Sequence, residues 1–152
     1  MKSKSDNGFT LLEMMLVIII ISMLAAIAIP RLSNSSETAR EKADITTGRE
    51  VKAALDRYQI EHGVYPKLGE LTALNGRITG SGFIPEYIVK LDSTVTQQNA
   101  KDEHKGFGIA ELGKENQTHA QNLIMIYLTT DGSAAEVRVY DKTLTKVLWS
   151  SI

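Results

Sequence analysis

The chain contains no cysteine. That absence excludes a disulfide staple, a thiol nucleophile, a cysteine metal site and a lipoprotein anchor, so the folded part must hold together by packing alone. Histidine is scarce too. His62, His104 and His119 lie far apart, without the spacing or neighbouring carboxylates of a metal site, and each reads as an exposed polar residue. No Gly-x-Ser-x-Gly, phosphate-binding loop or zinc motif occurs. The chain therefore does not read as an enzyme, and no catalytic residue, metal ligand or cofactor is expected. Neither sign of charge dominates: a formal net charge of -1 gives no ground for nucleic acid as an obligate partner. No internal repeat is visible.

What the sequence does have is one long apolar run. From Phe9 to Ile29 only Thr10, Glu13 and Ser22 are polar. At ~1.5 Å of rise per residue such a helix covers ~30 Å, enough to cross a hydrocarbon core. Within it stands a single carboxylate, Glu13. A charged group at mid-bilayer costs at least ~2.5 kcal/mol, which marks an intramembrane acid as a functional candidate; the plainer alternative is a side chain reaching the headgroups. Lys2 and Lys4 precede the run, so the N-terminus is expected inside and the bulk of the chain outside the cytoplasm. An ordinary secretory signal, cut after Ala26-Ile27-Ala28, is the rival reading, and it leaves Glu13 and the Gly8-Phe9 junction unexplained.

A short basic leader ending in Gly8, then Phe9-Thr10-Leu11-Leu12-Glu13 and an apolar run, resembles the class III signal of type IV pilins and type II secretion pseudopilins. The resemblance implies leader cleavage between Gly8 and Phe9 by a prepilin peptidase, N-methylation of Phe9, an assembly and register role for Glu13, and a helix kink at Pro30. These residues match the family at fixed spacing across about the first quarter of the chain. A second match is Tyr58 followed by Gly63-Val64-Tyr65-Pro66, similar to the place where the first helix of pilins and major pseudopilins ends. The absence of cysteine departs from the C-terminal disulfide of many pilins.

Read in order, residues 1–8 form a leader and 9–29 the transmembrane and assembly half of the N-terminal helix. Pro30, one of only three prolines, predicts a kink or local melting. Residues 30–63 form the amphipathic second half, with Ala39, Ala43, Thr47, Val51, Ala54, Leu55 and Tyr58 on one face and Gly63 at its end. Residues 64–105 form a variable connection, with short helical pieces at 68–74 and 85–91 and an exposed polar loop from 96 to 105. Residues 106–152 hold three or four strands, near 106–112, 123–130, 135–140 and 144–149, with Asp131-Gly132 as a two-residue turn. The expected fold class is α+β: the long N-terminal helix packed on a small antiparallel β-meander, as the pilin resemblance also implies. The packing would bury Val51, Leu55 and Tyr58 against Ile124, Ile126, Val137, Val139 and Val147.

These readings converge on a non-enzymatic subunit of a homo-oligomeric helical filament, in the cytoplasmic membrane before assembly and in a periplasmic or surface filament afterwards. The resemblance adds a prepilin peptidase, an assembly ATPase and a platform protein as partners. A pilus subunit is the reading adopted, with the major pseudopilin of a type II secretion system as its alternative. A soluble secreted binding module released after Ala28 is the alternative of another class. Major pseudopilins often bind calcium through C-terminal carboxylates, but Asp131 and Asp141 do not map onto such a site.

Overall fold

A computed structural model describes residues 9–80, 82–114 and 119–152. The leader, Gly8 included, lies outside the described residues. Two compact units are present, one up to Ser36 and one from Glu37 to Ile152. A single helix, α1, runs Leu11–His62, with Pro30 inside it and no break in helical structure there. The local melting expected at Pro30 is therefore absent. Proline withdraws one backbone donor, and the rest of the turn keeps its bonds.

In the first unit the large apolar side chains of the helix are exposed among the described residues. Phe9, Leu11, Leu12, Ile18, Ile21 and Leu24 are all exposed. By length and composition the helix can cross a membrane. The Ser22 hydroxyl donates back to the Ile18 carbonyl at 2.6 Å, so this polar group is satisfied within the helix.

The second unit is built on the remainder of α1, a two-stranded ribbon and a four-stranded sheet. The ribbon pairs β1 (Thr72–Leu74) with β2 (Arg77–Thr79); the sheet runs β3 (Phe107–Glu111), β4 (Ile124–Leu128), β5 (Ala135–Tyr140) and β6 (Val147–Ser150), in that spatial order. The fold class is thus α+β, one long helix and a small sheet, as expected. One pair departs from a meander: β3 runs parallel to β4, while β4–β5 and β5–β6 are antiparallel. A parallel neighbour needs a crossover of about a dozen residues, which the segment 112–123 supplies where a hairpin would be far shorter.

The inner face of the sheet meets α1. Val51, Ala54 and Leu55 share one buried cluster with Ile124, Ile126, Leu128, Val137 and Val139, and Tyr58 packs at its margin. Before Val51 the helix face that enters is set one residue off from the expected one, while Val51, Leu55 and Tyr58 stand as expected. Asp44 and Gly48 are buried, where Ala43 and Thr47 were expected, so the inner line reads 44, 48, 51, 55, 58. Gly48 is what permits close approach: a Cβ there would lie 2.5 Å from Val139 Cγ2. Val147 does not join this core and is 44% exposed. A register shift pairs Val139 with Trp149 and Tyr140 with Val147, which turns Trp149 towards the helix and Val147 to the other face. On that outer face Met125, Tyr127, Ala110 and Tyr140 form a second buried cluster, so β4 is covered on both sides.

The connecting region differs most from expectation. The helical piece at 68–74 is absent; β1 occupies its end and turns at Asn75-Gly76, whose φ values of 51° and 74° suit a tight hairpin. At 85–91 there is also no helix: i to i+4 bonds such as Tyr87 N–H to the Phe83 carbonyl close single turns that do not continue. The polar run 96–105 is exposed only in part. Thr96 and Gln98 are buried, and Asp102–His104 forms a 3-10 turn. The reason is Asp44, whose carboxylate receives the Gln97 and Gln98 amides at 2.6 and 3.1 Å. Between β4 and β5 the chain takes a wider loop than a two-residue turn, closed by Thr129 N–H to the Ala134 carbonyl at 3.2 Å.

Candidate functional site

Of the residues singled out by the sequence, Phe9 and Glu13 stand at the start of α1, Pro30 lies further along it, and Gly8 lies outside the described residues. Glu13 stands at the third helical position, where unpaired backbone N–H groups favour a negative charge. Its N–H donates to the Thr10 hydroxyl at 3.2 Å, while the Thr10 N–H and hydroxyl donate to Glu13 Oε2 at 2.8 and 3.0 Å. This is a reciprocal capping box, and it closes the helix start in the first turn after Phe9. The sequence carries this box as Thr10-x-x-Glu13, a local pattern at the edge of the membrane-length run.

This geometry has two chemical consequences. First, the acid is held by its own helix, so an isolated chain keeps its carboxylate hydrogen-bonded inside an apolar segment. Second, only Oε2 is engaged; Oε1 has no partner among the described residues. A cation approaching the helix start would find that oxygen available. Phe9 itself is 80% exposed, beside the capping box. Pro30 lies in the same helix, well beyond the acid. The structure therefore joins Glu13 to Thr10, the neighbour of Phe9 in the chain, and places Pro30 further along the same helix.

Elsewhere the polar groups serve the fold. Among the described residues, no cluster of three or more His, Cys, Asp or Glu is placed to hold a metal ion. The Asp131 carboxylate accepts the Ser133 N–H at 3.0 Å, and that bond, with the Ser133 and Thr129 hydroxyls, holds its pKa down to about 2. Asp141 accepts the Thr145 and Lys146 N–H groups, both at 2.9 Å. Both acids are thus engaged in closing turns. Lys52, Asp56 and Tyr65 join the helix to the loop that follows it, with Tyr65 O–H donating to Asp56 at 2.9 Å.

Residues 3–29 match the family described as Prokaryotic N-terminal methylation motif. The chain is 37% identical over 65 residues to the type II secretion system core protein G of Vibrio cholerae, covering 43% of this chain and 44% of that protein. It is 38% identical over 62 residues to the type IV major pilin protein PilE of Neisseria gonorrhoeae, covering 41% and 37%. With a fimbrial protein of Neisseria meningitidis the identity is 30% over 107 residues, covering 66% and 62%. The chain thus spans about half the length of the curated relatives it matches. No solved structure gives a significant match. In this methylation motif and in the stretch shared with relatives of both names, the chain is similar to type IV pilins and to type II secretion core protein G.

Proposed function

We propose that the chain is a structural subunit of a type IV filament, processed at Gly8-Phe9 and assembled from the inner membrane through its N-terminal helix. One observation carries the reading: an apolar helix whose large side chains are all exposed in the single chain, bearing one acid at its start. Such a surface is satisfied in lipid before assembly and by neighbouring copies of the same helix afterwards. The methylation motif at residues 3–29 supports processing and N-methylation of Phe9.

Glu13 then sets the register. In the bilayer its carboxylate rests on Thr10. In the filament it pairs with the cationic amine of Phe9 on an adjacent copy through the unused Oε1. A subunit out of register would bury two unpaired charges, at a cost of ~3 kcal/mol or more per interface. The resemblance assigns Pro30 a kink where the helix leaves the apolar environment, with helical structure continuous through it. The prepilin peptidase, an assembly ATPase and a platform protein enter as partners on the family resemblance.

Identities to core protein G and to PilE are nearly equal, so the motif region alone favours neither a secretion nor a pilus setting. The pilus reading is kept as the main one. Release after Ala28 as a soluble module has no support, because the methylation motif covers that segment.

The test is expression of Glu13→Ala and Glu13→Gln in a host depleted of the parent chain, with membrane insertion and sheared filaments measured together. The proposal expects both variants to insert and both to yield few filaments. Parent-like filament yield from both would overturn the register role. Loss of secreted enzymes in place of surface filaments would move the subunit to a secretion pseudopilus.

A further inference from the structure

On one face of the β1–β2 ribbon, Thr72, Leu74, Arg77 and Thr79 are all exposed. Across from them stand Asp92 and Thr94, and together they line a cavity of about 520 Å³. A second cavity, of about 290 Å³, shares Arg77 and Thr79 and continues past Val89 and Lys90. Two cavities that share a wall form a trough, a shape suited to an extended ligand. Volumes of this order lie within the range of ligand sites.

Both walls are fixed before any ligand arrives. The ribbon is anchored at its tip, where Phe107 N–H donates to the Gly76 carbonyl at 2.9 Å. Gly76 and Gly106 meet there backbone to backbone, leaving no space for a side chain at either position. The opposite wall is held by Thr94 N–H on Asp92 at 2.9 Å and by the tether of residues 97–98 to the buried Asp44. Rigid walls reduce the ordering cost of binding.

The charges in the trough do not cancel. Lys90 is ion-paired with Asp92 at 3.0 Å. The Arg77 guanidinium, shared by both cavities, has no hydrogen-bond or ion-pair partner among the described residues. Around it are hydroxyl groups from Thr72, Thr79 and Thr94, and two exposed apolar side chains, Leu74 and Val89. No aromatic ring lines either cavity. Single-stranded nucleic acid relies on such rings for base stacking, so this lining is poorly suited to it.

From this arrangement we infer that the trough binds an acidic oligosaccharide. Arg77 takes a sugar carboxylate in a bidentate pair, the threonine hydroxyls take ring hydroxyls, and Leu74 and Val89 lie against the C–H faces. The trough uses no residue of the membrane helix, so the inference stands or falls apart from the filament assignment.

The test is calorimetric titration of the detergent-solubilised full chain with trigalacturonate, and separately with neutral trigalactose and a thymidine oligonucleotide. Saturable binding of trigalacturonate is expected, with trigalactose weaker by about tenfold, the loss of one good ion pair. Arg77→Gln should remove that preference at unchanged melting temperature, and Thr79→Val should weaken both sugars. Lys42→Gln, on an exposed helix face, should change neither. Absence of saturable trigalacturonate binding would overturn the inference. So would equal losses from Arg77→Gln and Lys42→Gln, or tighter binding of the oligonucleotide.

Discussion

The buried carboxylate of Asp44 receives the backbone N–H of Gln97 at 2.6 Å, joining the inner face of α1 to a loop more than fifty residues away. A second bond, from the Gln98 N–H, uses the other oxygen. Around this clamp, Arg40 donates to the Gln97 carbonyl at 3.0 Å, and the Gln98 side-chain amide donates to the Tyr140 carbonyl at 2.9 Å. One acid thus turns a polar stretch into part of the folded body.

Asp44→Ala should destabilise the body by about 3 kcal/mol, because two backbone amides, that of Gln98 buried, lose a charged acceptor. Asp44→Asn keeps the shape and one acceptor oxygen, and should cost about half as much. Denaturant unfolding of the detergent-solubilised chain, followed by the fluorescence of Trp149, measures both. A loss for Asp44→Ala within the ~0.5 kcal/mol of an ordinary surface change would contradict the clamp.

Gly48→Ala should destabilise the protein even though alanine is the better helix former by ~1 kcal/mol. The added Cβ would sit 2.5 Å from Val139 Cγ2 and 3.4 Å from the Trp149 ring. Overpacking of this kind costs ~1–3 kcal/mol, enough to cancel or exceed the propensity gain. The same substitution should shift the emission of Trp149, the only tryptophan. A higher melting temperature with unchanged emission would show that helix and sheet do not approach so closely.

Asp131 gives a pH dependence whose sign is fixed. Its folded pKa, about 2, lies below the ordinary 3.8. Its contribution is therefore fully present above about 3.8 and is lost as pH falls through about 2. Carboxyl-carbon NMR should place the Asp131 midpoint near 2, with the Ser133 amide shift moving in step. Titration at the ordinary carboxylate value would mean that the turn bonds are absent in solution.

Much of this was legible in the sequence, for identifiable reasons. The apolar run, Glu13 and the Gly63 helix end depend on composition and local geometry, and α1 does end at His62, with Gly63 at φ 78°. The four sheet strands carry enough β-forming residues to be found near their observed places. What escaped depends on distant partners. Asp44 has no local feature that marks it as buried until Gln97 and Gln98 are placed beside it. Gly48 looks like a helix weakness until Val139 and Trp149 arrive. The parallel direction of β3 is set by its pairing with β4, which no local pattern in either strand encodes. At the N-terminal site the reverse held: Thr10-x-x-Glu13 is a local pattern, and it was overshadowed by the membrane-length run around it.

The central claim is that a prepilin-type chain is cut after Gly8 and built into a filament through the helix that begins there. The most direct measurement is the intact mass of the chain in sheared surface material, with fragmentation of its N-terminal peptide. The account predicts a chain beginning at Phe9 and heavier by one N-methyl group. A chain beginning at Ile29, or one still carrying Met1–Gly8, would contradict it.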